Sequence, residues 1–513
     1  MKKSDFDMII IGGGATGAGI ALDASSRGLQ VALFEQNDFG EGTSSRSTKL
    51  VHGGVRYLED AIKHLNKAQY ALVKEGLRER KIFLENASHL AHPIELITPI
   101  YKWIDIPYIY SGLWLYDRLS GKYSLGKSRL ISASKAIQIN PSINPHGLKA
   151  AVSYCDGAFN DSRMVIALIQ SAQENGAMVR NHHKITKLHK KSGKLHGVTV
   201  VDQIKQKEYQ YSADIIINAA GPFVDQVRKL DDPNSKPILQ ISSGIHLVVD
   251  RKFLPSPKGI MIPKTSDGRV IFILPYQDKC IIGTSDNPAT VSQHPKVSKS
   301  EIDYLLANIN KYLNIHIKKS DILSSFSGLR PLLAHGDTNN TSRLVREHIE
   351  IFSDSGLLTV AGGKWTSYRR MSQSAVNLAL KTLGKNLNDY PCTTKHYKLV
   401  GSRKPIPDTI PKELTSRYGD QATKIAQISA NLDDDGELPR MTRAELIYTI
   451  SSEYVKKPLD FLVRRTSIAM TDTHEALKLL PKLANTMKYE LGYSDELYEE
   501  LEKEAFDILK SGI

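Results

Sequence analysis

The first thirty-five residues constrain the fold most. An apolar run, Met8-Ile9-Ile10-Ile11, leads straight into Gly12-Gly13-Gly14-Ala15-Thr16-Gly17. Ala18-Gly19-Ile20-Ala21-Leu22-Asp23-Ala24 follows, and Val31-Ala32-Leu33-Phe34 ends in Glu35. Strand, glycine turn, helix, strand and acid in that order is the layout of a dinucleotide-binding βαβ unit. Gly12 permits the tight turn, Gly14 lets the backbone approach a pyrophosphate, and Gly17 lets the helix lie close on the strand. The helix start, with Ala15 and Thr16, turns N–H groups and the positive end of its dipole toward the phosphates. Glu35 stands near the expected offset of about 20 residues. It can accept from ribose hydroxyls and would repel a 2′-phosphate, which disfavours NADP.

The second informative stretch runs from Thr43-Ser44-Ser45-Arg46-Ser47-Thr48-Lys49 through His52-Gly53-Gly54 to Arg56-Tyr57. Its hydroxyls and backbone N–H groups suit a pyrophosphate, and its glycine pair lets the main chain pass flat under a planar ring. A polar loop is the bland alternative; the position directly after the βαβ unit argues against it.

A chain of 513 residues exceeds one ordinary core, so two or three domains are expected. Hydrophobic content of 41% and charged content of 24% are those of a globular protein. No apolar run is long enough to span a bilayer, and the N-terminus has no secretory-leader pattern. Cys155, Cys280 and Cys392 lie far apart, so neither a disulfide frame nor a metal site is expected, and a reducing cytoplasm is the default. The net charge of +13 admits nucleic acid, an anionic membrane surface or an anionic substrate. No nucleic-acid motif supports the first reading. Charge spread over a solvated surface accounts for most of the excess.

Periodicity predicts helices over 61–85, 161–175, 297–312 and 367–383, with Ser298 or Ser300 and Glu301 at the start of the third. Strands are expected over 94–107, 179–188, 197–201, 214–218, 241–249, 269–274, 279–284 and 357–361. The aromatic segment 109–119 reads as a buried helix in preference to a membrane contact. Beyond residue 390 glycines thin out and helical patterns dominate, one of them stopped or kinked by Pro481. His182, His183, His189 and His316 lack partners at ligand spacing and read as surface residues. Strand-and-glycine-turn elements recur near 218, before Ala220-Gly221, and near 362, before Gly363-Lys364, as in a cofactor domain built from separated segments.

Four motifs together are specific: GGGATGAGIALDA from Gly12, TSSRSTKLVHGGVRYLE from Thr43, SGLRPL over Ser327–Leu332 and GGKWTSYRRM over Gly362–Met371. The chain resembles the FAD-dependent glycerol-3-phosphate dehydrogenase family, over most of its length and including the helical tail. The resemblance implies an α/β fold. It combines an FAD-binding Rossmann-like domain of the glutathione-reductase/D-amino-acid-oxidase type (1–90, 150–235 and 340–388), a sheet-rich substrate domain (91–149 and 236–339) and an all-helical C-terminal domain (389–513). FAD would be held by Gly12, Gly14, Ala15, Thr16, Gly17, Glu35, Thr43, Ser44, Ser45, Lys49, His52, Gly53, Gly54, Ala220, Gly221 and Gly363. The implied reaction is oxidation of sn-glycerol 3-phosphate to dihydroxyacetone phosphate, with electrons passed to a membrane quinone.

Physical reasoning fits that implication. A phosphomonoester needs clustered cations, and Arg matches it bidentately. Arg56, Arg330 and Lys364 are the candidates, with the Tyr57 hydroxyl beside them; ordinary surface ion pairing is the alternative. Lys364, or the backbone around Gly363, is also the candidate for the flavin N1–C2=O edge. Removal of the C2 hydroxyl proton needs a base, for which His246 is the candidate; a satisfied strand histidine is the alternative. His52 is the weaker base candidate. Thr284, in a polar Thr284-Ser285-Asp286 turn, ranks second as a substrate contact. Rival readings are a glycerol-3-phosphate oxidase using oxygen, a related FAD-dependent amine or amino-acid oxidase, and a flavin-fold binding protein without turnover. The resemblance implies that oxygen-using relatives usually carry an insertion in the substrate domain, for which this chain is too compact. The expected location is cytoplasmic, peripheral on the inner face of the cytoplasmic membrane against anionic lipid. A homodimer is left open.

Overall fold

The computed structural model describes residues 4–54, 67–265, 268–334, 348–433, 436 and 438–512. The strand Phe6–Ile11 sits at the centre of a parallel sheet. Val31–Phe34 and then Met178–Arg180 lie on one side of it, Lys207–Asn218 and then Leu357–Gly362 on the other. His348–Phe352 closes one edge in the antiparallel sense. Alternate side chains of the central strand feed two cores, because successive residues of a strand point to opposite faces. Met8 and Ile10 pack with the helices Ala15–Ser25, Asp161–Glu174 and Tyr368–Thr382. Ile9 and Ile11 pack with Ile185, Val198 and Val200 of an antiparallel meander, His183–Lys191 and Lys194–Asp202. The long strand Lys207–Asn218 belongs to both layers: it pairs with the meander along its first half and with the parallel sheet along its second. A face covered on each side explains the unbroken apolar run at residues 8–11.

The second sheet is mostly antiparallel. Leu239–Asp250 pairs with Ile322–Leu333, Lys279–Gly283 and Asn287–Pro288. The sheet continues through Ile271–Tyr276, Gly259–Ile262, Ala91–Ile100 and Ala150–Phe159 to Leu50–Val51. Ala150–Phe159 therefore belongs with this sheet, not with the nucleotide-binding segments to which the sequence division assigned it. The helix Lys299–Ile309, opened by a Ser298–Glu301 capping box, covers one face. The C-terminal helices cover the other, where Phe461, Leu446 and Leu480 meet Val248, Ile281 and Phe326.

Several expectations change. The strand predicted over 94–107 ends at Ile100, and a helix, Asp105–Ser120, takes over. That helix buries only Leu113, Tyr116 and Ser120. Within 109–119 Trp114 is 45% exposed while Ile109, Tyr110, Leu115 and Leu119 are partly buried against neighbouring cores, so the helix is amphipathic, not wholly buried; Trp103, Ile104 and Tyr108 just before that segment are 68%, 79% and 54% exposed. Pro481 stops nothing: Thr473–Leu491 is one helix, held by the burial of Ala476, Leu480, Leu483, Ala484 and Met487. The helix predicted over 61–85 is seen from Lys67 to Asn86; its first six predicted residues lie outside the described ones. His182 and His183 are buried beside Asp460 and Asp202, whereas His316 is exposed.

Candidate active site

The glycine turn is built around contacts that only glycine tolerates. Gly12 has φ +106°, and a Cβ there would lie 2.7 Å from the Ala219 carbonyl oxygen. A Cβ on Gly17 would lie 1.9 Å from the Gly12 carbonyl oxygen. The turn is pinned from two sides. The Gly13 N–H donates to the Glu35 carboxylate at 2.7 Å, and the Ala15 N–H at the helix start donates to the Ser44 hydroxyl at 2.9 Å. The Asn37 N–H donates to the other Glu35 oxygen at 2.9 Å. Burial pushes the Glu35 carboxyl up to about 7, against the pull of the Asn37 and Gly13 N–H groups.

A cleft of about 350 Å³ opens over this turn. Of the residues expected at the cofactor, Gly12, Gly14, Ala15, Thr16, Glu35, Thr43, Ser44, Ala220, Gly221 and Gly363 line it, as does Lys364. Gly17 lies beneath, between helix and strand. His52 and Gly53 are placed beyond the cleft: the His52 carbonyl accepts from the Thr366 hydroxyl at 3.0 Å and the Gly53 N–H donates to the buried Tyr116 hydroxyl at 2.7 Å. Gly54, next in the chain, has φ +92°. Ser45 is buried with its hydroxyl turned away from any described partner. Lys49 departs from expectation. Its ammonium is taken up by Asp161 at 2.5 Å and the Ser45 carbonyl at 2.7 Å, beneath the rings of Phe326 and Tyr276. Asp161 also receives the Ser47 N–H and hydroxyl, so this buried carboxylate anchors the whole 45–49 segment. The cleft suits a flavin dinucleotide: a helix N-terminus and two hydroxyls for phosphate, an acid for ribose, and apolar walls of Ile11, Phe34, Val360 and Trp365.

A second cluster forms where the second sheet meets the 43–48 loop. Strand pairing sets Arg330 opposite Ser242 and His246 opposite Gly283, so Thr284 follows directly beside the histidine. The Arg330 guanidinium donates to the Thr284 hydroxyl at 3.0 Å, to the Ser243 and Ser285 carbonyls at 3.1 and 3.0 Å, and to Asp286 at 3.2 Å. His246 is buried and stacked on Phe326 at 4.9 Å. Its Nε2 lies 2.9 Å from the Thr48 hydroxyl, and its buried Nδ1 has no partner among the described residues. Burial first, then Arg330 and Lys49, hold the imidazole well below its ordinary pKa, so it is neutral at pH 7. Arg56 and Tyr57 lie outside the described residues.

The two clusters share one wall. Thr43 donates to the Leu329 carbonyl at 2.7 Å, and Arg46 to the Ser327 carbonyl at 3.3 Å, while Thr43 and Ser44 line the cleft and Thr48 touches His246. Sequence reasoning missed Thr48, Asp161 and Gly244. A Cβ on Gly244 would sit 2.1 Å from the Arg330 guanidinium and 2.5 Å from the Thr284 hydroxyl. A glycine inside an apolar strand was the available signal for that close approach.

Comparison with known proteins places this architecture. The profile of the FAD dependent oxidoreductase family matches residues 7–369, and that of the C-terminal domain of alpha-glycerophosphate oxidase matches residues 359–498. The mitochondrial glycerol-3-phosphate dehydrogenase of Rattus norvegicus is 39% identical over 98% of this chain and 73% of its own length. That of Schizosaccharomyces pombe is 39% identical over 99% and 87%. The solved glycerol-3-phosphate dehydrogenase from Bacillus halodurans, complexed with FAD, superposes with a TM-score of 0.82 at 30% identity, covering 100% of this chain and 95% of that one. An L-alpha-glycerophosphate oxidase from Mycoplasma pneumoniae shares the fold at a TM-score of 0.56 and 17% identity, over 73% of this chain and 94% of that one.

Proposed function

The chain belongs to the FAD-dependent oxidoreductase family, among its glycerol-3-phosphate dehydrogenases, and on that premise we propose that it oxidises sn-glycerol 3-phosphate to dihydroxyacetone phosphate and delivers the electrons to a membrane quinone. FAD is its cofactor, and when bound it supplies the hydride acceptor. The observation that carries the substrate reading is the convergence of His246, Thr284 and Arg330 across the wall from the cofactor cleft.

Arg330 and the Thr284 hydroxyl are the phosphate donors in this reading, with Arg56, Tyr57 and Lys364 completing the set. Asp286 balances the guanidinium until a dianion replaces it as the counter-charge. Neutral His246 takes the proton from the C2 hydroxyl as C2 gives up its hydride. The arriving phosphate offsets the Arg330 charge that holds the imidazole pKa down, so substrate makes its own base stronger. Lys364, lining the cleft, is the cation assigned to the negative charge of the reduced ring.

Anaerobic addition of glycerol 3-phosphate to the FAD-loaded protein tests the reading. Bleaching of the visible flavin absorption is expected, and its loss in His246→Gln; no bleaching in the parent protein rejects it. Stoichiometric hydrogen peroxide in air would assign oxygen, not quinone, as the acceptor.

Among the described residues, no helix is long and apolar enough to cross a membrane. The exposed Trp103, Ile104, Tyr108 and Trp114, with Lys102, Arg118 and Lys149 nearby in the chain or over the rings, support peripheral contact with anionic lipid.

A further inference from the structure

Asp38 is fully buried three residues past Glu35, and its partners come from the far end of the chain. Arg465 donates to both carboxylate oxygens at 2.6 and 2.9 Å, and Arg464 Nε to one of them at 2.5 Å. Arg464 also reaches Glu41 at 3.2 Å and Asp460 at 2.9 Å. Asp460 binds the His182 ring at 2.9 Å, while the His182 N–H donates to the Asn37 carbonyl at 2.7 Å. Arg465 is itself held by the Glu453 carbonyl at 2.6 Å, and Glu453 grips both guanidinium nitrogens of Arg163. Asp38, His182 and Asp460 lie close enough together to suggest a metal site. Arg464 already donates into both carboxylates and Arg465 into that of Asp38, so the positive charge there is arginine's own.

This network continues to the cofactor cleft by hydrogen bonds. The Gly40 N–H donates to the Gly13 carbonyl at 3.0 Å, and Asn37 and Gly13 both donate to Glu35. Glu35, Gln36, Asn37, Gly40, Glu41, Gly42, Thr43 and Ser44 form one wall of the cleft. Among the described residues, none beyond Met371 lines it. A buried ion pair that is merely structural could sit anywhere; this one fixes a loop with no regular secondary structure between Phe34 and Thr43.

We propose that Arg464 and Arg465 are positioning residues for the cofactor: by holding Asp38 they fix the Glu35–Ser44 wall, so the C-terminal helical region sets FAD affinity without touching the cleft. Coupling of this kind is reciprocal: what holds the wall for FAD is in turn held more firmly by FAD.

Two measurements test it. In Arg464→Met, folded by circular dichroism, the FAD dissociation constant from flavin fluorescence quenching should rise about tenfold or more, with partial recovery in Arg464→Lys, which keeps the charge. A dissociation constant within about twofold of the parent in a folded variant overturns the proposal. In the unaltered protein, FAD should slow amide hydrogen exchange over residues 460–466 about tenfold. Exchange there that ignores FAD overturns it as well, whether or not the variants fold.

Discussion

At the scale of single residues, Glu35 and Gly244 carry more than their sequence positions announce. Glu35 is an acceptor for the glycine turn itself as well as the acid available to a ribose. With its carboxyl pushed up to about 7, acidification through that value protonates it and weakens both N–H contacts. FAD affinity should therefore fall between pH 8 and pH 6, and Glu35→Gln should flatten the dependence, read by flavin fluorescence titration at each pH. The sign for the apoprotein is opposite. A carboxyl raised in the folded state costs stability as pH climbs from its ordinary 4.5 toward 7, so the empty protein is firmer on the acid side of that window. Gly244→Ala would drive a methyl into Arg330 and Thr284. KM for glycerol 3-phosphate should rise about tenfold, the equivalent of ~1.4 kcal/mol, with FAD binding unchanged; equal KM values would remove Arg330 from the phosphate site. The motif residues were readable because glycines and an acid at fixed spacing have one geometric use. That Asp161, far along the chain, takes up the Lys49 charge was not legible, because nothing local reveals it.

At the scale of elements, periodicity found the central strands and the helix Tyr368–Thr382 beside the cleft, missed the helix Val224–Asp231 and the strand Ile322–Leu333 that also line it, and failed where tertiary contacts outweigh local preference. Pro481 is the clearest case. It lacks an N–H to give to Leu477, yet five buried side chains keep Thr473–Leu491 in one piece. Pro481→Ala should raise the thermal unfolding midpoint, gaining about 1–3 kcal/mol, and leave FAD affinity untouched; a lower midpoint would show that the proline shapes the helix to its neighbours. Asp105–Ser120 failed the other way. An aromatic stretch reads as core, but of its aromatics only Tyr116 is fully buried, against the Gly53 N–H and Arg80, while Tyr110 is half-buried and Tyr108 and Trp114 are exposed. Whether Trp103 and Trp114 face core or solvent depends on what packs against the helix, which no local pattern encodes.

At the scale of the whole molecule, that exposed helix and the net charge of +13 make a joint expectation. Trp103→Ala with Trp114→Ala should reduce sedimentation with anionic phospholipid vesicles several-fold, and raised salt should reduce it further in the parent protein. Turnover with a soluble acceptor should stay the same. Vesicle binding indifferent to both changes would place the lipid-facing surface elsewhere. The order of segments also shapes how the protein comes into being. The central strand Phe6–Ile11 has its neighbours at Val31–Phe34 and Lys207–Asn218, and the last parallel strand is Leu357–Gly362. During translation at ~5–20 residues per second, the nascent βαβ unit waits roughly 20–70 s for that last strand to emerge. Through that interval one edge of the growing parallel sheet, first that of Phe6–Ile11 and then that of Lys207–Asn218, is open to chaperones and to wrong partners alike, and FAD has no finished cradle to enter. Cofactor loading is thus a late event in biogenesis, and a ribosome stall before residue 357 would leave a chain with its fingerprint intact and nothing able to read it.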